Sequence, residues 1–200
     1  MRKSTIRQTM KINLILLSLI SFFAFSCERS DVFPTETEKA QQALRAPAPG
    51  TDPIAVIAIE AGFSELVGAL VYVDEELEAG LVELFLNGTD QYTVFAPTNQ
   101  AFENLYEFLE IDGITDLDAE LVLNVLLYHV AEGRRAANSV VPKVGIRTIT
   151  TLLEATFTVN PQAIIKDIFG QQANIVAANI SASNGIIHVI DTVILPIEAE

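Results

Sequence analysis

The chain is predicted to be an α+β protein, with helices gathered in the first half of its folded region and strands in the second. Three observations predict this. Apolar residues recur at helical spacing from Ile54 to Phe85 and again from Ala101 to Leu127, whereas beyond Gly133 the period shortens to two. The chain then closes on a long apolar run from Gly185 to Leu195. Helices followed by strands, rather than strict alternation, indicate separate helical and sheet layers around one core.

Residues 1–27 read as a leader. Arg2, Lys3, Arg7 and Lys11 precede or open an apolar run, Ile12 to Phe25, of 14 residues. At about 1.5 Å per residue the run reaches roughly 21 Å, short of a bilayer core of about 30 Å, so it predicts a secretory signal and not an anchor helix. Cys27, the only cysteine, sits where the chain turns polar at Glu28 and Arg29. That placement resembles a bacterial lipoprotein signal, in which the cysteine is lipidated and becomes the mature N-terminus. It implies an exported protein, lipid-anchored in the cell envelope at the outer membrane. With no second cysteine for a disulfide, the exported domain rests on its hydrophobic core.

After Cys27, 8 basic residues stand against 26 acidic ones, a balance of −18. Such a surface repels phosphate backbones and anionic headgroups, so nucleic-acid binding and electrostatic membrane docking are not expected. Residues 28–51 are rich in Glu, Thr, Gln, Ala and Pro and read as a flexible tether, because little apolar surface offsets the entropy of ordering.

The folded domain is expected over 52–197. Asp52-Pro53 ahead of Ile54–Ala61 and Gly62 predicts a helix with a capping acid and a glycine stop. A second helix is expected from Ser64 and a third from Asp74, with Glu75, Glu76 and Glu78 at its positive end and Asn87-Gly88 closing it. Tyr92 to Ala96 predicts a strand broken by Pro97, after which Thr98 or Asn99 caps a helix that turns Ala101, Phe102 and Leu105 inward. Asp116 or Asp118 caps the next helix, which runs into Tyr128-His129-Val130. Strands are expected at 148–153, 155–159, 163–167 and 174–180.

The closing run is bounded by Asn184-Gly185 and Pro196. One set of alternate positions is Ile187, Val189, Asp191, Val193 and Leu195; the other is Ile186, His188, Ile190, Thr192 and Ile194. A strand apolar on both faces lies centrally in a sheet. Its length predicts a bend near Asp191.

Three blocks now carry a resemblance. Thr93-Val94-Phe95-Ala96-Pro97-Thr98-Asn99 with Ala101-Phe102, then Leu126-Leu127-Tyr128-His129-Val130, then Asn184 to Asp191 ending at Pro196, closely resemble in order and spacing the signature blocks of fasciclin-type domains. The resemblance covers about residues 52–197. It implies a wedge of two small β-sheets packed with N-terminal helices, and a role in cell adhesion and extracellular-matrix or surface interactions.

Tyr128 and His129 match a pair linked in some relatives to partner binding, and they stand as the candidate binding residues. The competing reading is that they make internal hydrogen bonds that fix a helix-to-strand turn. His188 and Asp191, three apart on one strand, point to opposite faces and do not form an acid–base pair. No phosphate loop, nucleophile elbow or metal-binding pattern is present, and no cofactor is implied. The expected function is a non-enzymatic, membrane-tethered adhesion module binding protein or glycan. An envelope scaffold that contacts another membrane protein is the alternative.

Overall fold

The computed structural model describes residues 47–196 of the chain. Cys27, the leader and most of the tether lie outside the described residues. Three helices come first: α1 (Ile54–Glu60), α2 (Ser64–Leu77) and α3 (Leu81–Asn87). Strand β1 (Tyr92–Pro97) leads into α4 (Asn99–Leu109), a 3-10 turn at Ile114–Asp116, and α5 (Ala119–Tyr128). After β2 (Val130–Glu132) and the short α6 (Ala137–Val140) come β3 (Arg147–Thr150), β4 (Thr156–Val159), β5 (Ile164–Lys166), β6 (Gln172–Ala182) and β7 (Gly185–Ile190).

The caps explain where the helices begin, and two of them are not where local sequence suggests. Asp52 does not cap α1. Pro53 holds the N-cap position, and the amide of Ile54 donates to Asn184 Oδ1 at 2.8 Å. Asn184 Nδ2 then donates to the carbonyl of Phe85 at 2.9 Å, so one side chain ties α1 and the end of α3 to the β6–β7 turn.

Asp74 does not open the third helix either. It lies in the last turns of α2, and its carboxylate reaches across the Glu78–Gly80 link to accept from the amides of Leu81 and Val82, both at 2.8 Å. Glu75 and Glu76 therefore sit at the negative end of α2, not the positive end of α3. Asp74→Ala is expected to cost about 1–2 kcal/mol, since it strips both amides of α3 of their partner. Urea unfolding checks this, and an unchanged midpoint would remove Asp74 from the cap. The other caps match local expectation: Thr98 accepts from Ala101, and Asp118 accepts from Glu120 and Leu121. Asp116 instead accepts from Asp112.

The strands hydrogen-bond in the order β2-β1-β7-β6-β5-β4-β3. β7 runs parallel to β1 and antiparallel to β6, and every one of its six residues is buried. The strand stops at Ile190. Asp191 turns away and accepts from the Asn174 amide and side chain at 2.7 and 2.8 Å. The 11-residue β6 links the two halves of this one strand order, where the sequence resemblance implied two separate small sheets: one end pairs with β5, and the pairing with β7 shifts register between Ile175 and Ala177 and between Ala177 and Ile180. Those bulges bend the strand.

Two cores result, one on each face of β7. Ile187, Val189, Val193 and Leu195 join the helices, while Ile190 and Ile194 join Phe95, Tyr128, Phe157 and Ile165 in a second cluster. The alternation read from the closing run is thus the partition of the two cores. Gly185 is the first residue of β7 and not part of the turn, which is Ser183-Asn184. A Cβ there would lie 2.3 Å from the carbonyl oxygen of Tyr92, so only glycine lets β7 begin its pairing with β1.

Candidate functional site

Tyr128 and His129 sit where α5 hands over to β2, and the fold buries both. The Tyr128 ring packs edge-on against Phe157, with centroids 5.8 Å apart, and Phe157 stacks edge-on with Phe95 at 5.0 Å. The Tyr128 hydroxyl donates to the carbonyl of Thr156 at 2.9 Å, and burial pushes its pKa up to about 12.

His129 is 2% exposed and caps the end of α5. Its Nδ1 lies 2.7 Å from the carbonyl of Val125, and its Nε2 lies 3.2 Å from the amide of Ile194. A carbonyl only accepts and an amide N–H only donates, so Nδ1 carries the proton and Nε2 offers its lone pair. Burial lowers the ring's pKa to about 4, against a smaller upward pull from Val125. Both nitrogens are engaged by backbone. Of the two readings of the pair, the geometry displays the internal one: neither side chain offers a surface that a macromolecular partner could touch.

The rest of the buried polar set does similar work. His188 donates from Nε2 to the Arg135 carbonyl at 2.8 Å, and burial lowers its pKa. Asp191 lies beyond the end of β7, so the two do not meet. Asp167 accepts from the amides of Gly170, Gln171 and Leu195, each at 2.8 Å; burial raises its pKa and those amides oppose the rise. His129 and Asp167 together pin Ile194 and Leu195, the segment after β7, onto the domain. Among the described residues no group of three His, Cys, Asp or Glu side chains is placed to hold a metal.

Sequence reasoning missed Arg134. Its guanidinium donates to the carbonyls of Ala182 at 2.9 Å and of Gly185, to Ser181 Oγ, and to the carbonyls of Pro47 and Ala48, both at 3.4 Å. Together with the Gly50 amide on the Ala182 carbonyl, it holds residues 47–50 against the end of β6. The stretch assigned to the tether therefore ends before Thr51. The signal available was the Arg134-Arg135 pair itself, standing in a region otherwise poor in charge.

Charge is divided along the fold. Residues 47–132 hold 17 acidic side chains and no Lys or Arg, whereas residues 133–196 hold five basic ones against Glu154, Asp167 and Asp191. At the sheet end, Val144 is 87% exposed and Ile146 is 72% exposed, on a loop turned by Gly145 at φ +74° and flanked by exposed Lys143 and Arg147. This loop leads directly into β3, which is an edge strand with a partner on one side only.

Comparison with known proteins follows the same lines. The family described as Fasciclin domain matches residues 61–196. Protein sll1483 of Synechocystis is 29% identical over 193 residues, covering 94% of this chain and 99% of that one. Immunogenic protein MPB70 of Mycobacterium bovis is 33% identical over 147 residues, covering 72% of this chain and 69% of that protein. Cell surface glycolipoprotein MPB83 of the same species is 35% identical over 111 residues, 56% of this chain and 46% of that one. The match spans α2 to the segment pinned by His129 and Asp167, and with it the three sequence blocks, the helical layer and the mixed sheet find one explanation: the chain belongs to the fasciclin family.

Proposed function

We propose that the protein is an exported, non-enzymatic adhesion module, lipid-anchored through Cys27 in a bacterial envelope, that binds a protein or glycan ligand through the Lys143–Arg147 loop and the free edge of β3. The observation that carries the reading is the exposed Val144 and Ile146 pair between two cations, on the half of the domain that carries few acids. Exposed apolar contacts rimmed by charge are a common form of interaction site, and the cations favour an anionic ligand. The name of MPB83, a cell surface glycolipoprotein, supports the anchored and surface-facing part of the reading. The engagement of His129 on both nitrogens supports a binding role over a catalytic one.

The test is a double variant, Val144→Asp with Ile146→Asp, in the full chain. Both positions are solvated, so melting should stay within a few degrees of the parent. Cell adhesion and capture of matrix proteins or glycans should fall at least tenfold. Unchanged adhesion in the double variant would remove the loop from the function. Radiolabelled palmitate should enter the parent and not Cys27→Ala, and label in both would refute the anchor.

A further inference from the structure

Two cavities flank α2, and nothing in an adhesion role calls for them. The first, about 120 Å³, lies among α2, α4, α5 and the segment after β7, lined by Ala69, Phe102, Leu105, Val122 and Val193 among others. The second, about 140 Å³, lies among α1, α2 and α3, lined by Ala58, Leu70, Val82 and Phe85. Leu66, Leu126 and His129 belong to the wall of both, so these side chains separate the two spaces beneath α2. Each reaches the surface at an apolar mouth: Leu109, 39% exposed, for the first, and Ile59, 61% exposed, for the second.

The lining decides what could enter. Its one polar side chain is His129, whose nitrogens are held by the Val125 carbonyl and the Ile194 amide, so a ligand finds no hydrogen bond there. A polar group placed in either space would lose its water without compensation. Apolar cavities of this order stay dry and take up hydrocarbon: an engineered one of about 150 Å³ in another protein binds benzene. The helical segments that supply most of both linings carry acids and no cations: no Lys or Arg occurs between residues 47 and 133, and Glu60 and Glu110 adjoin Ile59 and Leu109. A carboxylate head is therefore repelled.

We infer that the helical layer binds one uncharged hydrocarbon chain, threaded beneath α2 through both cavities, with Leu66 and Leu126 turned aside. The ligand class is a long-chain alcohol, neutral lipid tail or similar apolar molecule, and free fatty acids are excluded. This site is separate from the Lys143–Arg147 loop, so it can fail without touching the adhesion reading.

The experiment titrates the full chain with N-phenyl-1-naphthylamine, an uncharged fluorescent probe. Saturable binding of one probe per chain is expected, displaced by 1-dodecanol and at least tenfold less readily by dodecanoate. Ala69→Leu fills the first cavity and Ala58→Leu the second, and each should weaken binding at least tenfold with cooperative melting retained. Where a filled variant does not melt cooperatively, Leu109→Glu and Ile59→Glu at the exposed mouths take its place. The Val144→Asp, Ile146→Asp variant should bind the probe like the parent. Absence of saturable binding, displacement by dodecanoate as good as by dodecanol, or sensitivity to only one cavity would each overturn the inference.

Discussion

Ile187→Asp is expected to abolish the cooperative thermal transition at neutral pH. Ile187 is 1% exposed in the middle of β7, with β1 and β6 bonded on either side and the helical core on its face. A carboxylate there meets no donor. Leaving it charged in a dry interior, or forcing it to protonate, costs about 5 kcal/mol or more, which rivals the whole stability of a typical domain of about 5–15 kcal/mol. Val189→Asp should behave in the same way, since Val189 faces the same core. Thr148→Asp, on the exposed face of the edge strand β3, is the control and should melt close to the parent. Circular dichroism and urea unfolding measure all three. A cooperative transition in Ile187→Asp near the parent midpoint would show that β7 is not the dry centre of the fold.

The second large effect is on pH dependence. His129 has a folded pKa of about 4 against an ordinary value of 6.5. Between those values the unfolded chain binds a proton that the folded chain refuses, so stability increases with pH across that window. The contribution is fully present above pH 6.5 and is lost as the pH falls toward 4, amounting to about 3 kcal/mol. His188, also lowered by burial, adds in the same direction, while the raised carboxyl of Asp167 acts in the opposite one. Relief of repulsion among the 17 acids of residues 47–132 also opposes the loss. Comparison with His129→Gln isolates the histidine: glutamine can still donate to Val125 but does not titrate. Urea stability measured from pH 7 to pH 4.5 should fall more steeply in the parent than in the variant. Parallel curves would show that His129 does not hold its neutral form in the fold. The physical cause is specific, because a proton on Nε2 would face the N–H of Ile194 and break the contact that holds the C-terminal segment.

Much of the architecture was legible before the structure. The expected elements rest on local signals, and they appear where a cap, a proline or a period acts within one or two turns of chain. Thr98 and Asp118 cap the helices they precede, and Pro97 ends the strand it follows. The bend at Asp191 follows from the length of the closing run. The candidate site was legible only as a pair of residues. Nothing in Tyr128-His129 as a dipeptide reveals that the Thr156 carbonyl lies 2.9 Å from one, or the Ile194 amide 3.2 Å from the other. Asp74 was misread for a related reason. A carboxylate three residues before a new period looks like that period's cap, yet here the helix continues to Leu77 and the side chain reaches forward past Gly80.

By itself, the sequence determined the α+β class, the order of helices and strands, the central place of the last strand and the apolar character of both its faces. These follow from periodicities of 3.6 and 2, which are properties of neighbouring residues. Tertiary structure alone decided that Asn184 caps a helix 130 residues before it, that β6 links β7 to β5, that His129 is neutral and out of reach, and that two apolar cavities share a wall beneath α2. Each of those depends on groups far apart in the chain, whose meeting is set by how the layers pack and by the need of every buried donor to find an acceptor.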